Sequence, residues 1–198
     1  ISSINNGIYL IRSLKEQVFN HDNFTPKTLI KSSNGYLIGT EDGRLLELDK
    51  QFNKRKTLYQ EQSSIPVYYI FKDEKDNNII FSHNGFSILN TVSKRRIHYD
   101  IALKETVKLD DKYYAIATSG VIGLLKNPSA ASNTASIWDK VYHEETLPTA
   151  KGISALKTNL RAKSVAWDAE NQRILTTSNI GTFMITPNGE QEIKYKNA

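Results

Sequence analysis

Four histidines, His21, His83, His98 and His143, are the side chains best suited to moving protons or holding a metal near neutral pH. They are scattered along the chain without the spacing of a metal site. His143-Glu144-Glu145 matches the start of the zinc-binding H-E-x-x-H pattern, but Leu147 stands where the second histidine must fall. Residues 73–78, DEKDNN, resemble the start of a calcium loop, yet Lys75 occupies a ligand position and no glutamate closes the loop. This stretch reads instead as a turn between two strands. Phosphate-binding and nucleophile-elbow patterns are absent. No metal, cofactor or catalytic residue is therefore assigned. A hydrolytic carboxylate pair, drawn from Asp42, Glu144 and Asp168, depends on a separation in space that sequence does not give. Asn23-Phe24-Thr25 is a formal glycosylation sequon, which matters only in a protein that passes through a eukaryotic secretory route.

These residues sit on a repeat. Gly7, Gly43, Gly85, Gly120 and Gly181 follow one another at steps of 36, 42, 35 and 61 residues, each opening a short apolar run. The clearest copy is 33-SNGYLIGTEDGRLLEL-48. Strand-like stretches rich in Val, Ile, Leu, Tyr and Thr flank each turn, and Gly, Asn, Asp and Pro punctuate them. Asp42-Gly43, Asn84-Gly85 and Asn6-Gly7 are dipeptides favoured in two-residue hairpins, where both positions take positive φ. Small residues recur near the end of each second strand: Thr40, Ser82, Ala117 and Ser178. Close packing of one copy on the next explains them.

Four-stranded units at this period predict an all-β protein, a β-propeller of four-stranded antiparallel blades. Full blades are expected near residues 26–59, 66–100, 105–143 and 161–195, with a partial blade over 1–20. Because residues 1–20 match only the later strands of a copy, the chain reads as a segment of a larger propeller. Residues 136–143 are expected as the outer strand of the third blade, and 144–160 as an inserted loop on the glycine-turn side. Long loops of this kind are often functional.

The chain of 198 residues is 39% hydrophobic and 24% charged, enough to bury a real core. With no cysteine it forms no disulfide and fits oxidising and reducing compartments alike. No apolar run reaches the roughly 18 residues of a membrane span. A net charge of +5 and 10 tyrosines admit an anionic partner, but the basic residues do not gather into a stripe, so nucleic acid is not expected. Lys94-Arg95-Arg96 reads as a solvated edge strand, where cations discourage edge-to-edge pairing. The glycine-turn side is the place to look for a ligand, with Tyr68, Tyr69, His83 and Arg161 as candidate contacts. The alternative is a decorated face that binds no ligand.

SSNGYLIGTEDGRLLELD resembles the two-component regulator propeller repeat, in which D-x-x-G precedes an aromatic-aliphatic strand and G-T-x-x-G. Gly35, Ile38, Gly39, Thr40 and Gly43 match it, and Asp73 and Asp168 keep its aspartate in weaker copies. The pattern's tryptophan is replaced by Leu37, Ile79, Tyr114 and Leu175. Trp138-Asp139 and Trp167-Asp168 do not sit where WD40 repeats place that dipeptide, and the sialidase box is absent. The resemblance implies a non-enzymatic sensor region in the periplasm, part of an inner-membrane regulator of the hybrid kind common in Bacteroidetes. It implies a ligand such as a glycan-derived oligosaccharide, and further propeller and β-sandwich domains in the same protein. A homodimer is a further partner. A protein-interaction scaffold and a propeller glycoside hydrolase or lyase are the alternatives.

Overall fold

The computed structural model describes residues 24–60, 64–118, 121–129, 160–186 and 188–194, together with four short strands outside them. The described residues are all-β. Three four-stranded antiparallel sheets follow the chain in simple meander order. The first contains β3 (Pro26–Ser32), β4 (Gly35–Thr40), β5 (Arg44–Leu48) and β6 (Lys54–Gln60). The second contains β7 (Ile70–Asp73), β8 (Asn78–His83), β9 (Gly85–Asn90) and β10 (Arg96–Tyr99). The fourth contains β16 (Ser164–Asp168), β17 (Arg173–Thr177), β18 (Thr182–Thr186) and β19 (Gly189–Glu192). The first strands of successive sheets are neighbours: β3 lies beside β7, β7 beside β11 (Leu103–Lys108), and β11 beside β16. This is the arrangement of a β-propeller. A separate pair, β1 (Ser2–Ser3) and β2 (Gly7–Ile8), is antiparallel.

The third sheet departs from expectation. Its order is β11 (Leu103–Lys108), β12 (Tyr113–Thr118), β13 (Ile122–Lys126), β15 (Ile153–Leu156) and β14 (Tyr142–His143). The strand that pairs with β13 lies inside the stretch expected as an inserted loop, with Gly123 opposite Ala155. Residues 142–143, expected within the fourth strand, form a fifth strand outside it. The edge of β13 needs hydrogen-bond partners, and either segment could supply them. Which one does so depends on the path between them, and local composition does not carry that information.

Apolar layers lie between the sheets. β8 is buried on both faces, so its alternate residues serve different layers. Ile79 and Phe81 pack with Leu37 and Leu45 of the preceding repeat and with Val67 on the approach to β7. Ile80 packs with Tyr114, Ile116 and Leu125 of the next. A third layer joins Ala115, Ala117 and Ile122 to Ala162, Val165 and Ile174. Small residues permit this closeness: a Cβ added at Gly39 would lie 2.6 Å from the Val67 side chain. Thr40, Ser82 and Ala117 are buried, whereas Ser178 is only half-buried.

The turns differ from the expected two-residue form. Gly43 and Gly85 have positive φ, but Asp42 and Asn84 do not. At Gly43 the N–H donates to the Thr40 carbonyl at 3.3 Å, so a left-handed glycine follows a tight turn. Gly85 is fixed twice over, because an added Cβ would also lie 2.2 Å from the Tyr99 carbonyl oxygen.

A polar seam joins the second and third sheets. The buried Asp73 carboxylate takes Lys108 Nζ at 2.7 Å and the Tyr114 hydroxyl at 2.7 Å. Its other oxygen accepts the backbone N–H groups of Lys75 and Asp76, which makes residues 73–78 a turn, as expected. Asn78 donates to Tyr114 and to Asn127, and Asn127 donates to Asp76. Burial alone would raise the Asp73 carboxyl, but the Lys108 ammonium and the Tyr114 hydroxyl outweigh it and hold the group below the ordinary range. Burial likewise opposes the charge on Lys108, and Asp73 and Asp76 overcome it and raise that group.

Two outcomes are expected. Gly85→Ala should destabilise the fold by more than the ~1–2 kcal/mol of a left-handed alanine, read by urea unfolding. The depressed Asp73 group stabilises the fold above its unfolded value near 3.8, and that contribution is lost as pH falls through its lower folded value. Asp73→Asn should therefore cost about 2–4 kcal/mol at pH 7 and flatten the stability curve below pH ~4. An unchanged acid limb would remove Asp73 as its source.

Candidate functional site

A concavity of about 350 Å³ lies on the glycine-turn side, where the second sheet meets the third. Three pieces of chain form it. The β8–β9 turn contributes Ser82, His83 and Asn84, the β10–β11 connection contributes Asp100 and Leu103, and the approach to β7 contributes Tyr68. The turn is held against the connection because Gly85 has no side chain to meet Tyr99 and Asp100.

The wall of the concavity is rigid around His83. Its ring stacks on Phe81 at 5.3 Å and meets Tyr59 at 5.4 Å and His98 at 5.0 Å. His83 Nε2 lies 2.8 Å from the Ser87 hydroxyl, which lies 3.3 Å from His98 Nδ1. Behind them, Arg96 donates to the Tyr59 hydroxyl and lies over its ring at 4.9 Å. Ser87 is fully buried, and its single proton serves one of the two imidazoles at a time.

Three groups facing the concavity remain available. Tyr68 keeps 64% of its surface exposed. The Ser82 hydroxyl is buried and has no hydrogen-bond partner among the described residues. Asp100 is exposed, and no hydrogen bond or ion pair engages its carboxylate among the described residues. Native folds satisfy nearly all buried polar groups, so an unmatched hydroxyl in the wall of a concavity points to a missing partner.

The four expected contacts separate. Tyr68 and His83 line this concavity together. Tyr69 does not: its hydroxyl donates to the Thr106 carbonyl at 3.2 Å and accepts the Thr106 N–H at 2.9 Å. Burial pushes that hydroxyl up to about 12. It substitutes for a strand pairing between the second and third sheets. Arg161 is exposed, beyond the described lining of the concavity. Residues 144–152 lie outside the described residues. Ser82 and Asp100 drew no attention as contacts in the sequence, where one reads as a small packing residue and the other as the end of a strand.

Two of the three candidate hydrolytic carboxylates, Asp42 and Asp168, do not converge. Asp42 sits in a glycine turn, whereas Asp168 ends β16 at the opposite edge of its own sheet. Arg44 binds Asp42, and Asn171 and Arg173 bind Asp168; these contacts hold both carboxyls below the ordinary range. Glu144 lies outside the described residues. No cluster of three or more His, Cys, Asp or Glu side chains able to hold a metal occurs among the described residues. A second concavity, of about 200 Å³, lies at the opposite end of β8 beside Asn78, Asn90 and Arg95. There Asn90 donates to Asn78, and Asn78 to Tyr114, so its buried amides are already partnered.

No family model and no curated relative matches the chain. Solved structures do. The extracellular domain of BT4673 from B. thetaiotaomicron, assigned as a hybrid two component system, aligns with a TM-score of 0.61 at 11% identity over 92% of this chain. A second structure of that domain gives 0.54 at 13% identity over 81% of this chain. The C-terminal WD40 domain of Sif2 gives 0.54 at 14% identity over 85% of this chain and 45% of its own. The chain spans only 23% and 21% of the two BT4673 domains. At these identities the likeness establishes the propeller fold.

Tyr69→Phe should lower stability by about 1–3 kcal/mol, because it leaves the Thr106 N–H without an acceptor. It should leave any ligand affinity within twofold, since Tyr69 does not line the concavity. A large loss of affinity with unchanged stability would return Tyr69 to the site.

Proposed function

We propose that this chain is a non-enzymatic, ligand-sensing propeller region of a bacterial two-component signalling regulator, exposed outside the cytoplasm. The ligand is a small hydroxyl-rich molecule, foremost a glycan-derived oligosaccharide, bound in the concavity between Tyr68, Ser82, His83 and Asp100. The observation that carries this reading is the unmatched Ser82 hydroxyl beside the exposed Tyr68 ring. Sugars present apolar faces to aromatic rings and hydroxyls to fixed polar groups, and this wall offers both. The likeness to the extracellular domain of a hybrid two component system supports a setting outside the cytoplasm, and we place the chain in the periplasm, in an inner-membrane protein of Bacteroidetes type. Signal output would then lie in a kinase elsewhere in the protein, reached through further propeller and β-sandwich domains. The ion-paired, separated Asp42 and Asp168 favour binding over hydrolysis.

A thermal-shift screen of the chain against neutral and anionic oligosaccharides tests this. A ligand at a hundred times its Kd should add ~2.7 kcal/mol and raise Tm by several degrees. Tyr68→Ala and Ser82→Ala, neither of which adds volume to the junction, should each abolish the shift while changing the ligand-free Tm little. A shift that survives both variants, or no shift with any sugar, would sink the reading.

A further inference from the structure

We infer that the concavity selects ligands carrying a protonated amine, such as an amino sugar, over acidic ones. This rests on reading the concavity as a ligand site. Asp100 is the one residue of formal charge in its described lining, and no lysine or arginine reaches it there. The Asp100 carboxylate has no protein partner among the described residues, so a ligand cation would meet an acceptor not already engaged. The exposed ring of Tyr68 lines the same concavity, and its π-face attracts a cation within about 6 Å of its centre. The buried Ser82 hydroxyl supplies a neutral contact for a hydroxyl of the same ligand.

An acidic sugar meets the reverse situation. Its carboxylate would face Asp100 with no cation in the lining to balance it, and like charges brought together out of bulk water repel. The chain as a whole carries +5, which draws anions in general. That field is screened within about 8 Å at physiological salt, whereas contacts inside the concavity are screened less. Local chemistry therefore opposes the net charge, and it decides which ligand stays.

Titration calorimetry separates the possibilities with three probes: the β-1,4 disaccharide of glucosamine, its N-acetylated counterpart, and a disaccharide ending in glucuronic acid. The glucosamine disaccharide should bind at least tenfold more tightly than the other two at pH 6.5 and 0.15 M salt. Asp100→Asn, a near-isosteric change at an exposed position, should erase that preference without lowering Tm. A preference that persists in Asp100→Asn overturns the inference, and so does failure of the amine probe to bind. If the N-acetylated probe binds as well as the amine, and Tyr68→Ala abolishes both, the ligand site stands and the amine selectivity falls. If none of the three binds and the wider sugar screen is also silent, the ligand site falls with it.

Discussion

The Asp73 carboxylate is the contact on which the placement of the second and third sheets depends. It is buried at the end of β7, and Lys108 of β11 and Tyr114 of β12 converge on it from the next sheet. A buried charge is tolerated when it is paired and hydrogen-bonded, and this one is both. Apolar layers attract sheets to one another without fixing their register, since burial has no direction. The seam supplies direction. Burial pushes the Tyr114 hydroxyl far above its ordinary range, so it remains a donor to Asp73 wherever the protein is folded.

The seam and the concavity occupy opposite ends of the same junction. Midway, Tyr69 crosses from the second sheet to Thr106 of the third, and its carbonyl takes the Ser82 N–H at 3.0 Å. One end of the junction is therefore clamped by charge, and the middle is tied by a phenol. At the far end the β8–β9 turn and the β10–β11 connection stand apart, leaving the space lined by Tyr68, His83 and Asp100. Propeller junctions offer such sites readily, because neighbouring sheets that meet closely at their first strands diverge towards their turns. Here the divergence is bounded by His83, whose ring is packed on three sides by Phe81, Tyr59 and His98. A wall built in this way has little freedom to lose on binding, which favours affinity.

Much of the fold was legible in the chain because its cause is local. A short continuous apolar run such as Ile79, Ile80 and Phe81, closed by Gly85, marks a strand buried on both faces entering a hairpin, and the period specifies that hairpins stack. The third sheet marks the limit. Residues 136–143 read as the outer strand and 144–160 as a loop, yet it is 153–156 that meets the edge of β13. The turn geometry marks another limit: Asp42 and Asn84 favour positive φ by type, yet the chain needs only one left-handed residue there, and glycine supplies it.

The site divides along the same line. Sequence determined that the glycine turns gather on one side and that aromatic and imidazole groups near them, Tyr68 and His83 among them, are available there. It also determined the absence of cysteine and of any phosphate loop, because those depend on residue type alone. Tertiary structure decided that Tyr69 turns into the junction while its neighbour Tyr68 stays exposed, since adjacent strand residues face opposite ways and only packing says which way is inward. It also decided that Ser82 is buried without a partner among the described residues and that Asp100, from the β10–β11 connection, lines the same concavity. Those facts belong to the junction between two repeats, and a repeat read by itself contains only half of it.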